Sequence, residues 1–536
     1  MDNQRVIRSA GLVSVFVLIS RVFGLVRDMA MAAFFGSSMA MDAFVVAFTI
    51  PNLFRNLFGE GALSSAFVPV FSETLEKQGR DTVWRFASNM MSLLSLALAA
   101  LVLAGIGVTA LLLAVFPFSP RVALILSLLQ IMLPYTFFIC LAAFFAAMLN
   151  TLRRFALPAA TPVVLNLIMI ATLFLICPRL DAEGRLRIVV VAWSVVAGGA
   201  VQWLMQLPLL MQNGFRPRLS FDWSDPRVRR VIQLMGVAVI GTGMTQISVL
   251  LDRCVAVFIG PGSASYLYYA ERLIYFPLGL FATALGTVLL PAFSGHAAQD
   301  RPDRIRETLN QSMRQLMFVM LPAAVGLLAL AHPIVALIYQ RGDFSPQTTA
   351  LTAVAVQCYA PGLLVFSLLK VLIPVFYAHQ DMKTPVRVGI ACTGLNMGLK
   401  LVLILAWQLW PFAYAYAGLA AATVLSSAVA VVTMGIMAHR RLGSCGWRSM
   451  ATAGARMLAA ALLMAATAVA AHGFLLQATW PANLPGFSRQ LIAVMGAMGV
   501  GVLTYGLAAA LFRCHELSEF WNAIRQRRGG GGVSDS

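Results

Sequence analysis

Fourteen long apolar runs restrict what this chain can fold into. A helix that crosses the roughly 30 Å hydrocarbon core of a bilayer needs about 20 mostly apolar residues. Runs of that length lie at about 8–35, 42–71, 86–116, 122–149, 158–177, 188–212, 231–259, 264–293, 313–339, 348–378, 386–409, 412–438, 452–477 and 490–512. The pattern predicts an all-α polytopic membrane protein with 14 transmembrane helices, numbered below as spans 1 to 14.

The composition supports a membrane protein and excludes two other classes. Of the 536 residues, 60% are hydrophobic and 11% are charged, with a mean hydropathy of +0.82. Soluble domains are about a quarter charged, and disordered chains combine low hydrophobicity with high charge. The first run follows Arg5 and Arg8, as in a signal peptide. Because Arg21 and more apolar sequence follow without an obvious cleavage site, we predict a retained first span.

The positive charge predicts the orientation of the chain. The net charge of +18 comes from 39 Lys and Arg against 21 Asp and Glu. Each connection is numbered here by the span that precedes it. Of these cations, 26 lie at the termini, in the even-numbered connections or at the adjoining span ends. Six lie in the odd-numbered connections, and seven lie within spans. Cytoplasmic loops collect Lys and Arg, so both termini are predicted to be cytoplasmic. This topology explains the basic pI without nucleic-acid binding.

The two halves of the chain repeat short motifs in the same order. FFGSSMAMDAFVVAF and VPVFS, within 34–72, recur as FIGPGSASYLYYAER and LPAFS, within 258–294. Each copy contains six spans, so both have the same orientation, and a parallel repeat of this kind places a site near the midplane between the copies. The predicted parts are an N-lobe at 1–220 (spans 1–6), a C-lobe at 221–445 (spans 7–12), spans 13 and 14 at 446–515, and a flexible basic tail at 516–536.

Ionisable residues within the spans are the candidate functional residues. A charge at mid-bilayer costs at least ~2.5–3.5 kcal/mol, so each is expected to face a cavity or a partner. The cations are Arg21, Arg27, Arg55, Arg253, Arg272, Lys370 and Lys400, and the acids are Asp28, Asp42, Glu60, Asp252 and Glu271. Most lie in spans 1, 2, 7 and 8, which are equivalent in the repeat. Since arginine binds phosphate bidentately, the excess of cations predicts a polar cavity for an anionic, phosphate-bearing ligand.

Structural explanations compete with a functional one for several of these residues. Each arginine could form an internal salt bridge with a neighbouring acid, and Lys400 could either extend its ammonium to the interface or pair with another group. Asp42 suits a helix N-cap as well as a functional position. Glu60, between two glycines, suits a gating or ion-binding position as well as a structural one. Amides such as Asn166 are typical of interhelical hydrogen bonds, and His332 is expected to be hydrogen-bonded within the bundle.

Enzyme and metal-site signatures are missing from the sequence. No GxxxxGK[ST], HExxH or GxSxG motif occurs, so no catalytic residue and no ATP-driven mechanism is predicted. The seven cysteines lie far apart with no CxxC pair, which argues against a zinc site or a disulfide framework. We therefore expect no cofactor and no metal.

Four segments that contain most of these charges resemble a known family. They are SRVFGLVRD (20–28), DAFVVAFTIPNLFRNLFGEGALSSAFVPVF (42–71), YYAERLIYFPLGLFATALGTVLLPAF (268–293) and KVLIPVFYAHQDMKTPV (370–386). The chain resembles the MurJ (MviN) family, the proposed lipid II flippases of the multidrug/oligosaccharidyl-lipid/polysaccharide exporter superfamily, over its whole length. The resemblance implies two six-helix lobes that open alternately to each side, with a groove for the polyprenyl tail at spans 13 and 14.

The resemblance also implies roles for individual residues. Arg21, Arg27, Arg55 and Arg272 match the family's cavity arginines, Lys370 its span-10 lysine, and Asp42 and Glu60 its important acids. Glu271 stands where relatives carry Asp, while Asp28 adjoins Arg27, and Asp252 and Arg253 lie in a more variable stretch.

The activity implied by the resemblance is transport rather than catalysis. We expect lipid II, the undecaprenyl-pyrophosphate-linked peptidoglycan precursor, to move from the cytoplasmic to the periplasmic leaflet of the bacterial inner membrane by alternating access. Partners would be lipid II, membrane lipids and the cell-wall synthesis machinery, with coupling to the membrane potential or an ion. The alternative is an exporter or antiporter of another anionic lipid-linked oligosaccharide or small molecule. A drug antiporter should have an acidic cavity, and a glycosyltransferase should have a large outer loop with carboxylates.

Overall fold

Helices make up nearly all of the structure. The computed structural model describes residues 2–57, 63–180, 184–409, 414–443, 446–478 and 485–518, and these residues contain no β-strand. The α-helices are α1 (Asp2–Phe35), α2 (Met39–Phe54), α3 (Leu63–Gln78), α4 (Arg80–Val115), α5 (Pro120–Thr151), α6 (Ala156–Ala171), α7 (Gly184–Leu204), α8 (Leu207–Gln212), α9 (Pro226–Ile259), α10 (Ser263–Pro277), α11 (Thr283–Ala298), α12 (Pro302–Ala329), α13 (Ala331–Tyr339), α14 (Pro346–Ala378), α15 (Lys383–Leu409), α16 (Ala415–Leu442), α17 (Trp447–Gln477) and α18 (Gly486–Leu511). The predicted all-α class is confirmed.

Ten helical segments among the described residues are long and apolar enough to cross a membrane. They are Arg80–Val115, Pro120–Thr151, Ala156–Arg179, Gly184–Gln212, Pro302–Ala329, Pro346–Ala378, Lys383–Leu403, Ala415–Leu442, Trp447–Gln477 and Gly486–Leu511. These segments correspond to predicted spans 3–6 and 9–14. The protein is therefore a multi-pass membrane protein.

The other four predicted spans are also helical. They coincide with α1, with α2 and α3, with α9, and with α10 and α11. These helices contain most of the intramembrane charges, and a charged side chain lowers the hydropathy of its segment. The total of fourteen spans and the two-lobe repeat stay predictions.

Two of the charge-bearing spans are broken in the same way. After α2, residues 55–57 form a π-helical turn, and α3 begins at Leu63; after α10, a π-helical turn at 278–282 precedes α11. A proline precedes each π-helical turn, at Pro51 and at Pro277. Because proline has no backbone N–H, it cannot complete the regular α-helical hydrogen bonds, and this favours an irregular turn nearby. Each of these two spans thus has a π-helical turn after a proline. Such turns are frequent at functional sites.

Predicted span 9 differs from the structure at both ends. The helix begins at Pro302, eleven residues before the predicted start, and it breaks at Leu330 between α12 and α13. The early start is a charged, amphipathic extension that a search for apolar runs excludes. The break has a local cause, because the ring of Pro333 clashes with the carbonyl of Ala329 in a continuous α-helix.

The chain divides into two compact units. The first comprises residues 1–265 and 341–344, and the second comprises 266–340 and 345–536. Aromatic rings pack the first unit, as in the pair of Phe67 and Phe144, whose centroids are 4.6 Å apart. In the second unit, the Tyr505 hydroxyl of α18 donates to the Phe318 carbonyl of α12 at 2.9 Å. The lobe boundaries at residues 220 and 445 stay predictions.

The basic connection between α8 and α9 is held against α4. The Asn89 side chain exchanges two 2.8 Å hydrogen bonds with the backbone of Asp222. Further along, Arg230 forms a 2.9 Å ion pair with Glu73 at the end of α3. Hydrogen bonds from Lys77 and Arg230 lower the pKa of the Glu73 carboxyl. The arginine-rich segment at 216–230 is therefore an ordered surface that adjoins the ends of α3 and α4.

Candidate functional site

Arg27 lies at the centre of a buried polar cluster in the first unit. It is 8% exposed, and its Nη2 and Nε bond the Asp28 carboxylate at 2.8 and 3.1 Å. Its Nη1 donates to Asn166 Oδ1 of α6 at 3.0 Å, and Asn166 Nδ2 donates to the Ser20 carbonyl at 3.2 Å. The guanidinium thus joins α1 to α6, and both its charge and its fork of donors are used.

Arg21 and Arg55 are less buried than Arg27. Arg21 is half-buried and has no hydrogen bond or ion pair among the described residues. Arg55 lies in the π-helical turn after α2, where its Nη2 donates to Asn56 Oδ1 at 3.2 Å. Asn56 in turn donates to Gln246 Oε1 of α9 at 3.0 Å. Arg55 is therefore held at a break in its helix, within a network of neutral amides.

Asp42 is an N-terminal cap, but not of its own helix. It is fully buried, and Ser38 caps α2 instead. Asp42 Oδ2 accepts from the Gly262 amide at 2.7 Å, and Oδ1 accepts from the amide and the hydroxyl of Ser265 at 2.9 and 2.7 Å. A carboxylate at a helix start is favourable because the backbone N–H groups there are positive. Asp42 thus fixes the first turn of α10.

Asp252 and Arg253 are consecutive residues of α9 in the first unit. Arg253 is 5% exposed and Asp252 is half-buried. An arginine this buried is retained in membrane proteins when it interacts with other groups, and both residues do so.

Arg272 and Glu271 form the polar centre of the second unit. The Arg272 Cζ lies 4.7 Å from the ring centroid of Tyr268, one turn earlier in α10, and its Nη2 is 3.3 Å from the Tyr268 hydroxyl. Tyr359 of α14 donates to Glu271 Oε1 at 3.1 Å. The face of an aromatic ring attracts a guanidinium without neutralising its charge, and it fixes the plane of the group. The Tyr268 ring therefore holds the Arg272 guanidinium in one orientation.

The two intramembrane lysines of the second unit differ in exposure. Lys370 on α14 is exposed, whereas Lys400 on α15 is only 5% exposed. The buried Lys400 has interaction partners, which favours pairing within the bundle over extension of its ammonium to the interface. Lys370 has the accessibility that a ligand-binding cation needs.

Cations exceed acids among these residues. In the first unit, Asp28 binds Arg27 and Asp42 binds backbone amides, which leaves Asp252 as the one other described intramembrane acid. In the second unit, Glu271 is the one described intramembrane acid beside Arg272 and two lysines. Glu60 lies outside the described residues. Among the residues described, no three His, Cys, Asp or Glu side chains are grouped to hold a metal ion.

Similarity to known proteins identifies the family. A family model described as "Lipid II flippase MurJ" matches residues 31–484. A probable lipid II flippase MurJ of Vibrio cholerae is 37% identical over 526 residues, which cover 94% of this chain and 95% of the relative. The chain belongs to the MurJ family. A MurJ-family protein of Burkholderia cenocepacia, named as a lipid II flippase, is 36% identical and covers 70% of this chain and 74% of its own length.

Solved structures show the same fold. A lipid II flippase MurJ in an inward closed conformation aligns with a TM-score of 0.76 at 24% identity, covering 94% of this chain and 98% of that protein. An inward-facing MATE-family multidrug transporter of the MOP superfamily aligns with a TM-score of 0.68 at 10% identity, covering 81% of this chain. The MurJ-family chain therefore has a transporter fold shared with MATE proteins.

We did not predict from the sequence several residues that contact the intramembrane charges of this MurJ-family chain. Tyr268 had a signal, because it lies four residues before Arg272 on one helix, where side chains meet. Tyr359 and Ser265 had none, because their contacts join residues 88 and 223 positions apart in the sequence. Asn56 was adjacent to Arg55, but its bond to Gln246 depends on how α2 packs against α9.

The Asp42 cap gives a testable prediction. Asp42→Asn keeps the size of the side chain but places an NH2 group opposite one of the backbone donors of residues 262 and 265. We expect the free energy of unfolding to fall by about 1–3 kcal/mol, because a buried donor then loses its acceptor. Thermal unfolding of the purified protein measures this loss. Asp81→Asn, at an exposed position in the first turn of α4, is the control. Equal unfolding temperatures for both variants would contradict the cap.

Proposed function

We propose that this chain is a flippase that moves lipid II from the cytoplasmic to the periplasmic leaflet of the bacterial inner membrane. The main support is the Vibrio cholerae relative, which is named a probable lipid II flippase and is 37% identical over nearly the full length of both proteins. Its similarity favours a lipid II transporter over an exporter of another anionic lipid-linked saccharide or small molecule. The chain performs no covalent chemistry in this proposal.

The arginines of the charge-bearing helices are the proposed ligands of the pyrophosphate. Arg55 and Arg272 lie at or near π-helical turns that interrupt corresponding helices of the two halves. In transporters, interrupted helices of this kind mark substrate sites. Arg272 is oriented by the Tyr268 ring, and Arg21 and Lys370 are accessible cations. Arg27 and Arg253 are buried, so their proposed role is to hold the positions of the helices around the site.

Alternating access is the proposed transport mechanism. The cationic residues bind the pyrophosphate head while the polyprenyl tail stays in lipid, with spans 13 and 14 as its groove. Asp42, which caps α10, is a proposed gating residue, as are Asp28, Glu60, Asp252 and Glu271. Both termini are cytoplasmic in this proposal, and cell-wall synthesis enzymes consume the product. Moving a charge across the membrane is worth about 2.3 kcal/mol per 100 mV, so the potential or an ion could reset the cycle.

Complementation with Arg272→Ala tests the proposal. Cells depleted of the protein would express the variant, and the fraction of lipid II accessible to a membrane-impermeant, lipid II-cleaving enzyme would be measured. We expect accessible lipid II to fall at least tenfold at normal protein level, because an oriented, charge-assisted phosphate ligand is removed. Arg272→Lys should restore part of it if charge suffices, and little if the planar fork is required.

The control for this experiment is Arg448→Ala, at an exposed position near the start of α17. It removes one positive charge without touching the proposed site, so accessible lipid II should equal that of the wild type. Full rescue by Arg272→Ala would contradict the role of this arginine. Unchanged lipid II accessibility after depletion of the protein itself would contradict the proposed function.

A further inference from the structure

A polar pocket lies in the second unit, where α13, α17 and α18 meet. Its volume is about 400 Å³. The polar residues of its lining are His332 of α13, Gln340 directly after α13, His472 of α17, and Arg489 and Gln490 of α18. The remaining lining residues are small or apolar, and none of the lining residues is acidic. The pocket is thus a half-open, basic site that the transport proposal does not use.

The pocket lies near the end of α17 and the start of α18 rather than at the middle of these helices. His472 is five residues before the end of α17, and Arg489 is in the first turn of α18. Below it, the helices pack through an apolar cluster of Leu330, Ala468 and Ala497. By the predicted topology, the connection between α17 and α18 faces the periplasm. Lipid phosphates of the outer leaflet lie at this depth, between hydrocarbon and water.

Three independent groups make the pocket favourable for an anion. Arg489 offers a guanidinium that can bind phosphate with two donors. His332 and His472 add two imidazoles to the same lining, and an imidazole N–H can donate to an anion. Gly486, which starts α18, is also in the lining, and Pro485 before it gives no side-chain cap. The positive end of that helix adds to the attraction.

We propose that this pocket binds the phosphate group of an anionic lipid of the outer leaflet. Its volume lies in the range of small-ligand sites, which is enough for a headgroup. Pro333, Ala336 and Leu476 supply an apolar wall for the glycerol and upper acyl carbons. The groups that decide the charge are His332 on α13, His472 on α17 and Arg489 on α18.

Lipid retention by the full-length protein tests the proposal. The purified protein would be titrated with dioleoylphosphatidylglycerol or dioleoylphosphatidylcholine, and bound lipid would be counted by native mass spectrometry. We expect one phosphatidylglycerol to bind at least tenfold more tightly than phosphatidylcholine. Arg489→Gln should remove that preference, because a charge-assisted bond to the phosphate is lost. Arg448→Gln, which removes an exposed cation at the other end of α17, should keep it.

Further arms separate the sources of the phosphate and the role of the histidines. Displacement of the lipid by millimolar inorganic phosphate supports phosphate recognition. Binding of inorganic phosphate without any preference among lipids would assign the pocket to a soluble phosphate and overturn the lipid assignment. The double variant His332→Leu/His472→Leu should weaken the preference, because two N–H donors in the lining are removed. Equal loss in Arg489→Gln and Arg448→Gln, with matched thermal unfolding, would also overturn the proposal.

Discussion

Arg27→Ala is expected to abolish lipid II transport and to destabilise the protein. The substitution removes the partner of Asp28, which is 2% exposed, and it removes a donor to Asn166 on another helix. Removing one partner of a buried ion pair lowers the free energy of unfolding by about 3–5 kcal/mol, because the remaining charge stays desolvated. Thermal unfolding and the level of protein in the membrane measure the stability loss. Lipid II accessibility in depleted cells measures transport.

A double variant separates the structural role of Arg27 from its role in transport. Arg27→Ala/Asp28→Ala removes both charges, so no buried charge is left without its partner, and much of the stability should return. Transport should stay lost, because the guanidinium that joins α1 to Asn166 of α6 is still absent. Recovery of transport in the double variant would mean that Arg27 and Asp28 form only a structural pair. Arg27→Lys should keep part of the stability, because an ammonium reaches Asp28 but does not reproduce the planar fork.

The fold class followed from the sequence because membrane helices need long apolar runs. Predicted spans 3–6 and 9–14 are all helices of the required length. Their ends were harder to predict, as at α12, where a charged amphipathic extension from Pro302 continues the helix beyond the apolar run. Internal breaks depend on hydrogen bonds that hydropathy does not report. The π-helical turn at 278–282, which follows Pro277, was not predicted.

The candidate site was predictable in its charges and not in its contacts. A salt bridge between neighbouring residues was one of the explanations considered for Arg27 and Asp28, and it forms. Asp42 was expected to be an N-cap or a functional residue, but the sequence did not indicate which helix start it would bind. The distinction between exposed Lys370 and buried Lys400 depends on neighbouring helices. Contacts between helices distant in sequence arise from packing, which short-range patterns do not specify.

The backbone contact made by the turn at residues 341–344 was also not predictable from short-range sequence patterns. This turn belongs to the first unit, although α13 and α14 on either side of it belong to the second. The Asp343 amide donates to the Ala33 carbonyl near the end of α1 at 2.9 Å. Gly36, which ends α1 with φ +51°, and Gly342, with φ +56°, allow the two backbones to approach. Neither glycine is marked by its neighbours in the sequence as a contact.

Gly342→Ala is expected to detach this turn from α1. A Cβ at residue 342 would lie 2.2 Å from the Ala33 carbonyl oxygen, which belongs to a helix backbone and cannot move aside cheaply. The left-handed φ adds roughly 1–2 kcal/mol for a residue with a side chain. Together with the clash, we expect a loss of about 3 kcal/mol or more in the free energy of unfolding. Gly36→Ala should act similarly, since its Cβ would lie 2.3 Å from the Asp343 carbonyl oxygen.

Hydrogen exchange distinguishes local detachment from a general loss of stability. In the wild type the Asp343 amide should be protected by its bond to Ala33, and in Gly342→Ala it should exchange at the rate of an open turn. Gly499→Ala is the matched control, because a Cβ there meets no atom within 4 Å and alanine favours the α18 helix. Protection of Asp343 that survives Gly342→Ala would contradict the close approach of the two backbones. Lost protection with retained transport would instead limit the turn to a structural role, because transport would then not require its contact with α1.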